Sequence, residues 1–189
     1  MTSDVVQVLI RSDAWGTGLI LDQCEKLSRD QLHQRFDIGL GSLHDTLAHV
    51  ISTMRRWTDR LAGRTPRPVL LAIPDLPHLG GESRDIPVAE MRTLLAEAEK
   101  DLLAVAASLK DLSKPVVVQW PGPDGTPQTY TFTSGAVLAH VTTHGYHHRA
   151  QCLNMLRRLG APVPGVAPGT PEPSAVDWQT AVEGMTSRR

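Results

Sequence analysis

The sequence predicts an all-α protein, a four-helix bundle with a long crossover between its second and third helices and a small β-hairpin before its fourth. Three observations lead there. Several segments carry apolar residues at the three-and-four spacing of a helix with one buried face. Residues 63–86 hold Pro66, Pro68, Pro74, Pro77, Gly80 and Gly81, a density through which no helix continues. With four Trp, two Tyr and two Phe in 189 residues, Leu, Val and Ala must fill the core, which suits helices packed on helices.

The first helix is expected from about Asp4 to Leu27, on a stripe of Val5, Val8, Leu9, Leu19, Ile20 and Leu27 that Gly16 and Gly18 weaken in the middle. The second starts near Ser42, which with Asp45 resembles a capping arrangement, and repeats Leu43, Leu47, Val50, Met54, Trp57 and Leu61. The 63–86 connection is long for a compact bundle, and such a length has a function or permits a topology other than a meander. The third helix begins at Pro87, a good first-turn residue, and carries Val88, Met91, Leu94, Leu95, Ala98, Leu102, Val105 and Leu109. Two β-prone runs, Val116 to Val118 and Thr129 to Thr133, flank Pro-Gly-Pro-Asp-Gly-Thr-Pro and predict a hairpin. The fourth helix runs from Ser134, as its cap, to Leu159, where Gly160 and Pro162 end it. Residues 1–165 thus read as one bundle domain, and 166–189 as a Pro-rich tail packed on or near it.

Composition narrows the function. The formal net charge is -1 with both signs interspersed, which argues against a nucleic-acid binder. No run of about 18 apolar residues is present, so no membrane span is expected. Residues Met1 to Ile10 lack the basic-then-apolar order of a secretory signal, and Cys24 and Cys152 are too few for a disulfide framework. The expected location is the cytoplasm, with both thiols reduced.

The histidines carry the chemistry. Of eight, four are His140, His144, His147 and His148. On a helix, His144 and His148 lie one turn apart on one face. They continue a stripe of Val137, Val141, Cys152, Met155 and Leu159, so two imidazoles occupy core positions. Buried polar rings need partners, and a divalent transition metal such as zinc, nickel or iron would satisfy both. Taken alone, the pair equally fits rings hydrogen-bonded to carboxylates or backbone. No Glu follows the first His, which excludes the metalloprotease helix motif. His140 and His147 lie at the edges of the stripe, as flanking groups of such a site or as surface histidines. His33 and His78 fall in loop or boundary regions and read as surface residues. A tight site needs a third ligand. His44 and His49 both flank the apolar stripe of the second helix, and spacing does not choose between them.

Leu47-Ala48-His49-Val50 in the second helix and His144-Gly145-Tyr146-His147-His148-Arg149-Ala150-Gln151 in the fourth resemble the DinB/YfiT-like superfamily of metalloenzymes. Thr131 to Gly135, Leu156 to Gly160 and Trp15 fit the same pattern, so the resemblance spans roughly residues 10 to 160. It implies a four-helix bundle with a long second connection and a metal held by His49, His144 and His148. It also implies chemistry like that of members that are transferases or isomerases using mycothiol, bacillithiol or glutathione. Two departures stand out. Ala150 occupies a position usually held by Gly, and Thr53, Met54, Arg55 and Arg56 stand where members often carry a carboxylate or amide.

The expected function is therefore a divalent-metal-dependent enzyme that transfers a low-molecular-weight thiol, or water, to a small-molecule electrophile. Three protein ligands leave the open position of a catalytic metal. His140 and His147 are candidates to relay protons, and Arg56 to attract an anionic substrate or thiol. The alternatives are a non-enzymatic metal- or ligand-binding stress-response bundle and a helical interaction module with structural histidines. A homodimer is expected from the resemblance and from the apolar stripes of the first and third helices.

Overall fold

The computed structural model describes residues 4–72, 83–121, 125–164 and 173–184. Among them the chain forms α1 Val5–Cys24, α2 Arg29–His33, α3 Leu43–Leu61, α4 Val88–Ser108, β1 Pro115–Pro121, β2 Pro127–Thr133, α5 Ser134–Arg158 and α6 Ala175–Val182. The protein is mostly helical with one antiparallel hairpin, as the patterning requires. Two short helices were not expected, α2 and, within the tail, α6. Each opens on a capping box, Ser28 with Gln31 and Ser174 with Asp177.

Local capping explains the starts. The Asp4 carboxylate accepts from the N–H groups of Val6 and Gln7, and the Ser42 hydroxyl accepts from the N–H of Asp45. Ser134, the expected cap of the last helix, is instead its first residue. Thr133 caps α5 by accepting from the Ala136 N–H, while the Ser134 hydroxyl donates to the Lys114 carbonyl and ties α5 to the chain after α4.

α1 lies against α4 and α5, and α3 lies against α4 and α5, so the four long helices close a ring around one core. Met54, Leu102, Met155 and Leu156 are among its fully buried side chains. The buried face of α1 differs from the expected stripe. Val5 and Leu9 are exposed, and Ile10, Asp13, Ala14, Thr17, Leu21 and Cys24 turn inward. A buried ion pair sets this rotation: Asp13 receives the Arg149 guanidinium of α5, which also donates to the Asp13 carbonyl at 3.1 Å. A Cβ at Gly145 would overlap the Asp13 carboxylate, and one at Gly16 would meet Arg149 Nε at 3.0 Å. Gly16 on α1 and Gly145 on α5 thus leave the room in which the charged pair passes between the helices, whereas Gly18 faces open space.

The crossover retraces α3. The Arg67 N–H and guanidinium donate to Asp59, the Leu70 N–H donates to the Ser52 hydroxyl, and the Ile86 N–H donates to the His44 ring. Val69, Leu70 and Leu71 are buried on the way. The chain thus returns to the start of α3 before α4 begins, and α3 and α4 run parallel. Asp101, far along α4, accordingly meets Arg64 and Arg67 beyond the end of α3. Residues 73–82, which include His78, lie outside the described residues.

The hairpin pairs Val116 with Phe132 and Val118 with Tyr130. Alternation buries Val116 and Val118 and carries Trp120 and Phe132 against Trp57 of α3. α6 packs on α1 through the buried Trp178.

Gly145→Ala is expected to destabilise the protein by about 2–4 kcal/mol, because the buried pair must part while helix propensity offsets only about 1 kcal/mol. Gly18→Ala, with no atom within 4 Å of the new methyl, is expected to gain about 0.5–1 kcal/mol. Urea midpoints of the two variants check this, and a neutral Gly145→Ala contradicts the account of α1.

Candidate metal centre

α3 supplies His49 and α5 supplies His144 and His148, one turn apart on its α3-facing side. The three residues each present a ring nitrogen, and these atoms all lie within 4.8 Å of one another. The Nε2 atoms of His49 and His144 face each other at 3.0 Å. Two nitrogens bound at ~2.1 Å with right-angle to tetrahedral geometry stand ~3.0–3.4 Å apart, so this approach fits one shared ion. The His148 Nδ1–H donates to Gln151 Oε1 at 2.8 Å, which leaves Nε2 of His148 as the free ring nitrogen.

Gln151 is a member of the cluster that the histidine pattern alone does not reveal. Its amide nitrogen bonds His147 Nε2 at 3.0 Å while its oxygen holds His148. It is itself held from above: Gly39 takes φ +49, and a Cβ there would overlap the Gln151 side chain. The available signal was the spacing of Gln151 three and four residues after His148 and His147, which puts all three on neighbouring turns.

The remaining sequence candidates separate. His140 lies tilted against His144, with ring centroids 5.4 Å apart, and edge-on to Trp57 at 5.5 Å. His147 is exposed and meets the cluster both through Gln151 and directly, edge-on to His148 with ring centroids 5.1 Å apart. His44 is buried and structural: Nδ1 bonds Asp45 and Nε2 accepts the Ile86 N–H at 3.0 Å. His33 is also not a plain surface residue, since it stacks on His44 and bonds Asp85 at 3.1 Å. His33, His44 and Asp85 form the other group within ligand distance among the described residues. They suit a metal poorly, because the His44 Nε2 lone pair is committed to a backbone N–H and Arg29 already holds Asp85.

The model of the DinB family matches residues 1–180 of the chain. The chain belongs to the DinB family. It is also similar to Protein DinB of Bacillus subtilis (strain 168), 25% identical over 158 residues that cover 84% of this chain and 88% of that one. The Leu47–Val50 and His144–Gln151 segments that suggested the DinB family are the ones that α3 and α5 bring face to face.

Two hollows adjoin the DinB histidine cluster. One, of about 320 Å³, is lined by Trp57, Trp120, Phe132, Ala136, Val137 and His140. The other is a smaller cleft bounded by His49, Thr53, Arg56, Trp57, Arg60 and Trp120, among others. Burial, reinforced by charge on neighbouring rings, pushes His49 down to about 4 and His144 to about 2, and it holds His148 below the usual histidine range. The rings are therefore neutral near pH 7, the state in which imidazole ligates.

This makes metal-free stability pH-dependent. Histidine in the unfolded chain protonates near 6.5, but folded His49 does so only near 4. Below about 6.5 the unfolded state binds more protons, so stability present at neutral pH is lost as pH falls towards 4, by ~3 kcal/mol for His49 alone. Urea midpoints of apoprotein across that range should fall, and His49→Asn should flatten the curve; an unchanged slope in the variant contradicts the assignment. Gln151→Leu should weaken metal affinity by roughly 10–100-fold while keeping the fold, as read by metal-competition titration.

Proposed function

We propose that this protein is a divalent-metal-dependent enzyme in which His49, His144 and His148 hold one zinc, nickel or iron ion, and that it transfers a low-molecular-weight thiol, or water, to a small electrophile. The approach of three neutral imidazoles from two helices, with two Nε2 atoms at 3.0 Å beside an apolar hollow, carries this reading. The ring of α1, α3, α4 and α5 is taken as a DinB-type four-helix bundle formed by residues 1–165, with the 166–189 tail docked on it through α6.

The donor set contains no carboxylate and no cysteine among the described residues, so all three ligands are neutral. A bound divalent cation supplies the acidity that makes a thiol or water nucleophilic near neutral pH. The protein's own groups do the rest. Gln151 fixes the orientation of His148. Trp57, Trp120 and Phe132 give the hollow apolar walls against which an apolar part of the electrophile can lie. His140, between that hollow and His144, is placed to accept or return a proton at the rim.

A homodimer is part of the same reading, but its surface is not the α4 stripe, since Met91, Leu95, Ala98 and Leu102 are buried within the chain. Val5 and Leu9 of α1 and Leu112 remain exposed for it. Light scattering at high protein concentration should give twice the chain mass.

His148→Ala should lose retained metal after dialysis and turnover together, with helicity by circular dichroism preserved. The assay pairs metal stoichiometry with turnover of an electrophile in the presence of mycothiol, bacillithiol, glutathione or water. A variant that turns over normally overturns the mechanism. A metal-loaded wild type inert with every nucleophile favours the non-enzymatic binding protein.

A further inference from the structure

Two partly buried guanidinium groups stand beside the histidine cluster with no carboxylate paired to them among the described residues. α3 places His49, Thr53, Arg56 and Arg60 along one side, since steps of three and four keep helix residues on one face, and all four line the smaller cleft. Asp59, next in the chain to Arg60, is buried and forms its ion pairs with Arg64 and Arg67; its charge also acts on Arg56 and Arg60, but burial outweighs it and holds both guanidiniums below the usual arginine range. Arg56 gives one N–H to the Arg67 carbonyl, which leaves most of its five donors without a partner among the described residues. The Arg60 guanidinium lies over Trp57, 4.9 Å from its ring centroid, and 5.9 Å from that of Trp120. Those contacts hold the group in place and do not neutralise it. Two neighbouring cations withdrawn from water are costly unless an anion joins them.

The same two tryptophans also wall the hollow of about 320 Å³, whose other lining residues are Phe132, Ala136, Val137 and His140. A cationic cleft and an aromatic hollow thus share a wall, and each touches the cluster, one through His49 and the other through His140 beside His144.

We propose that these adjoining hollows bind a small organic carboxylate with an aromatic or similarly apolar body. Arg56 and Arg60 receive the carboxylate, and Trp57, Trp120 and Phe132 receive the body, so the ligand lies along the His49–His144 side of the cluster. The inference rests on the proposed function above and names its class of substrate. The planar donor fork of arginine matches a carboxylate in shape as well as charge, whereas a neutral amide leaves both guanidiniums unbalanced.

The test is calorimetric titration of the full-length protein, zinc-loaded and dialysed, with 4-phenylbutyrate and with the neutral 4-phenylbutyramide. The acid should bind saturably and roughly ten- to hundredfold more tightly than the amide, with a preference that shrinks as salt rises. Arg60→Gln should abolish most of the preference while leaving amide affinity and zinc content unchanged, which also reports an intact fold. Arg60→Lys should keep part of it. Equal affinity for acid and amide, no saturable binding of either, or a preference that survives both Arg56→Gln and Arg60→Gln overturns the carboxylate site. Zinc content of the same samples separates the two readings. Zinc retained without a preference removes the carboxylate site alone, and an arginine-dependent preference without retained zinc supports the carboxylate site and removes the metal.

Discussion

The buried pair of Asp13 and Arg149 is the constraint on which the rest of the structure depends. Successive residues on a helix are turned by about 100°. Once Arg149 is committed to α1, the preceding His148, and His144 one turn before it, are directed toward α3. The same commitment sends His147 and Ala150 outward, where both are exposed. Burial pushes the Asp13 carboxyl up to about 6 even against the guanidinium, so the pair is expensive to bury. Its contribution is to alignment. Any other rotation of α1 on α5 would leave a charge in the core without its partner, a penalty of several kcal/mol. Gly16 and Gly145 are the steric condition for that alignment, one on each helix.

The second organising feature is the crossover that runs back along α3. It makes α3 and α4 parallel, and it uses the polar groups of α3 one by one as anchors: Asp59, Ser52 and His44. His44 and His49 show how neighbouring histidines on one helix acquire different tasks. His44 faces the returning chain and gives its lone pair to a backbone N–H. His49 faces α5 and finds two imidazoles. The crossover pairs the Asp59 carboxylate with Arg64 and Arg67, so Asp59 acts on Arg56 and Arg60 without an ion pair, and two guanidiniums line the cleft beside the cluster. Packing of a loop therefore sets the electrostatics of the site.

The periodic apolar segments, the Pro- and Gly-dense connection and the turn-flanked β-prone runs were legible in the sequence, because helix and strand periods follow from backbone geometry alone. So were His144 and His148 as a pair, since spacing of four residues on a helix fixes their mutual position. Family motif, not spacing, selected His49 over His44. The rotation of α1 was not legible. Its stripe is loose, and a polar pair with a residue 136 positions away outweighed the burial of Val5 and Leu9. Gln151 was in view as part of the motif, but its role required the ring orientation of His148 and the left-handed turn at Gly39 above it. The sequence by itself determined which residues could share a helix face. Only the tertiary structure decided which faces meet, and so which histidines, arginines and tryptophans surround one cavity, because contacts between distant segments depend on how whole helices rotate to partner their buried charges.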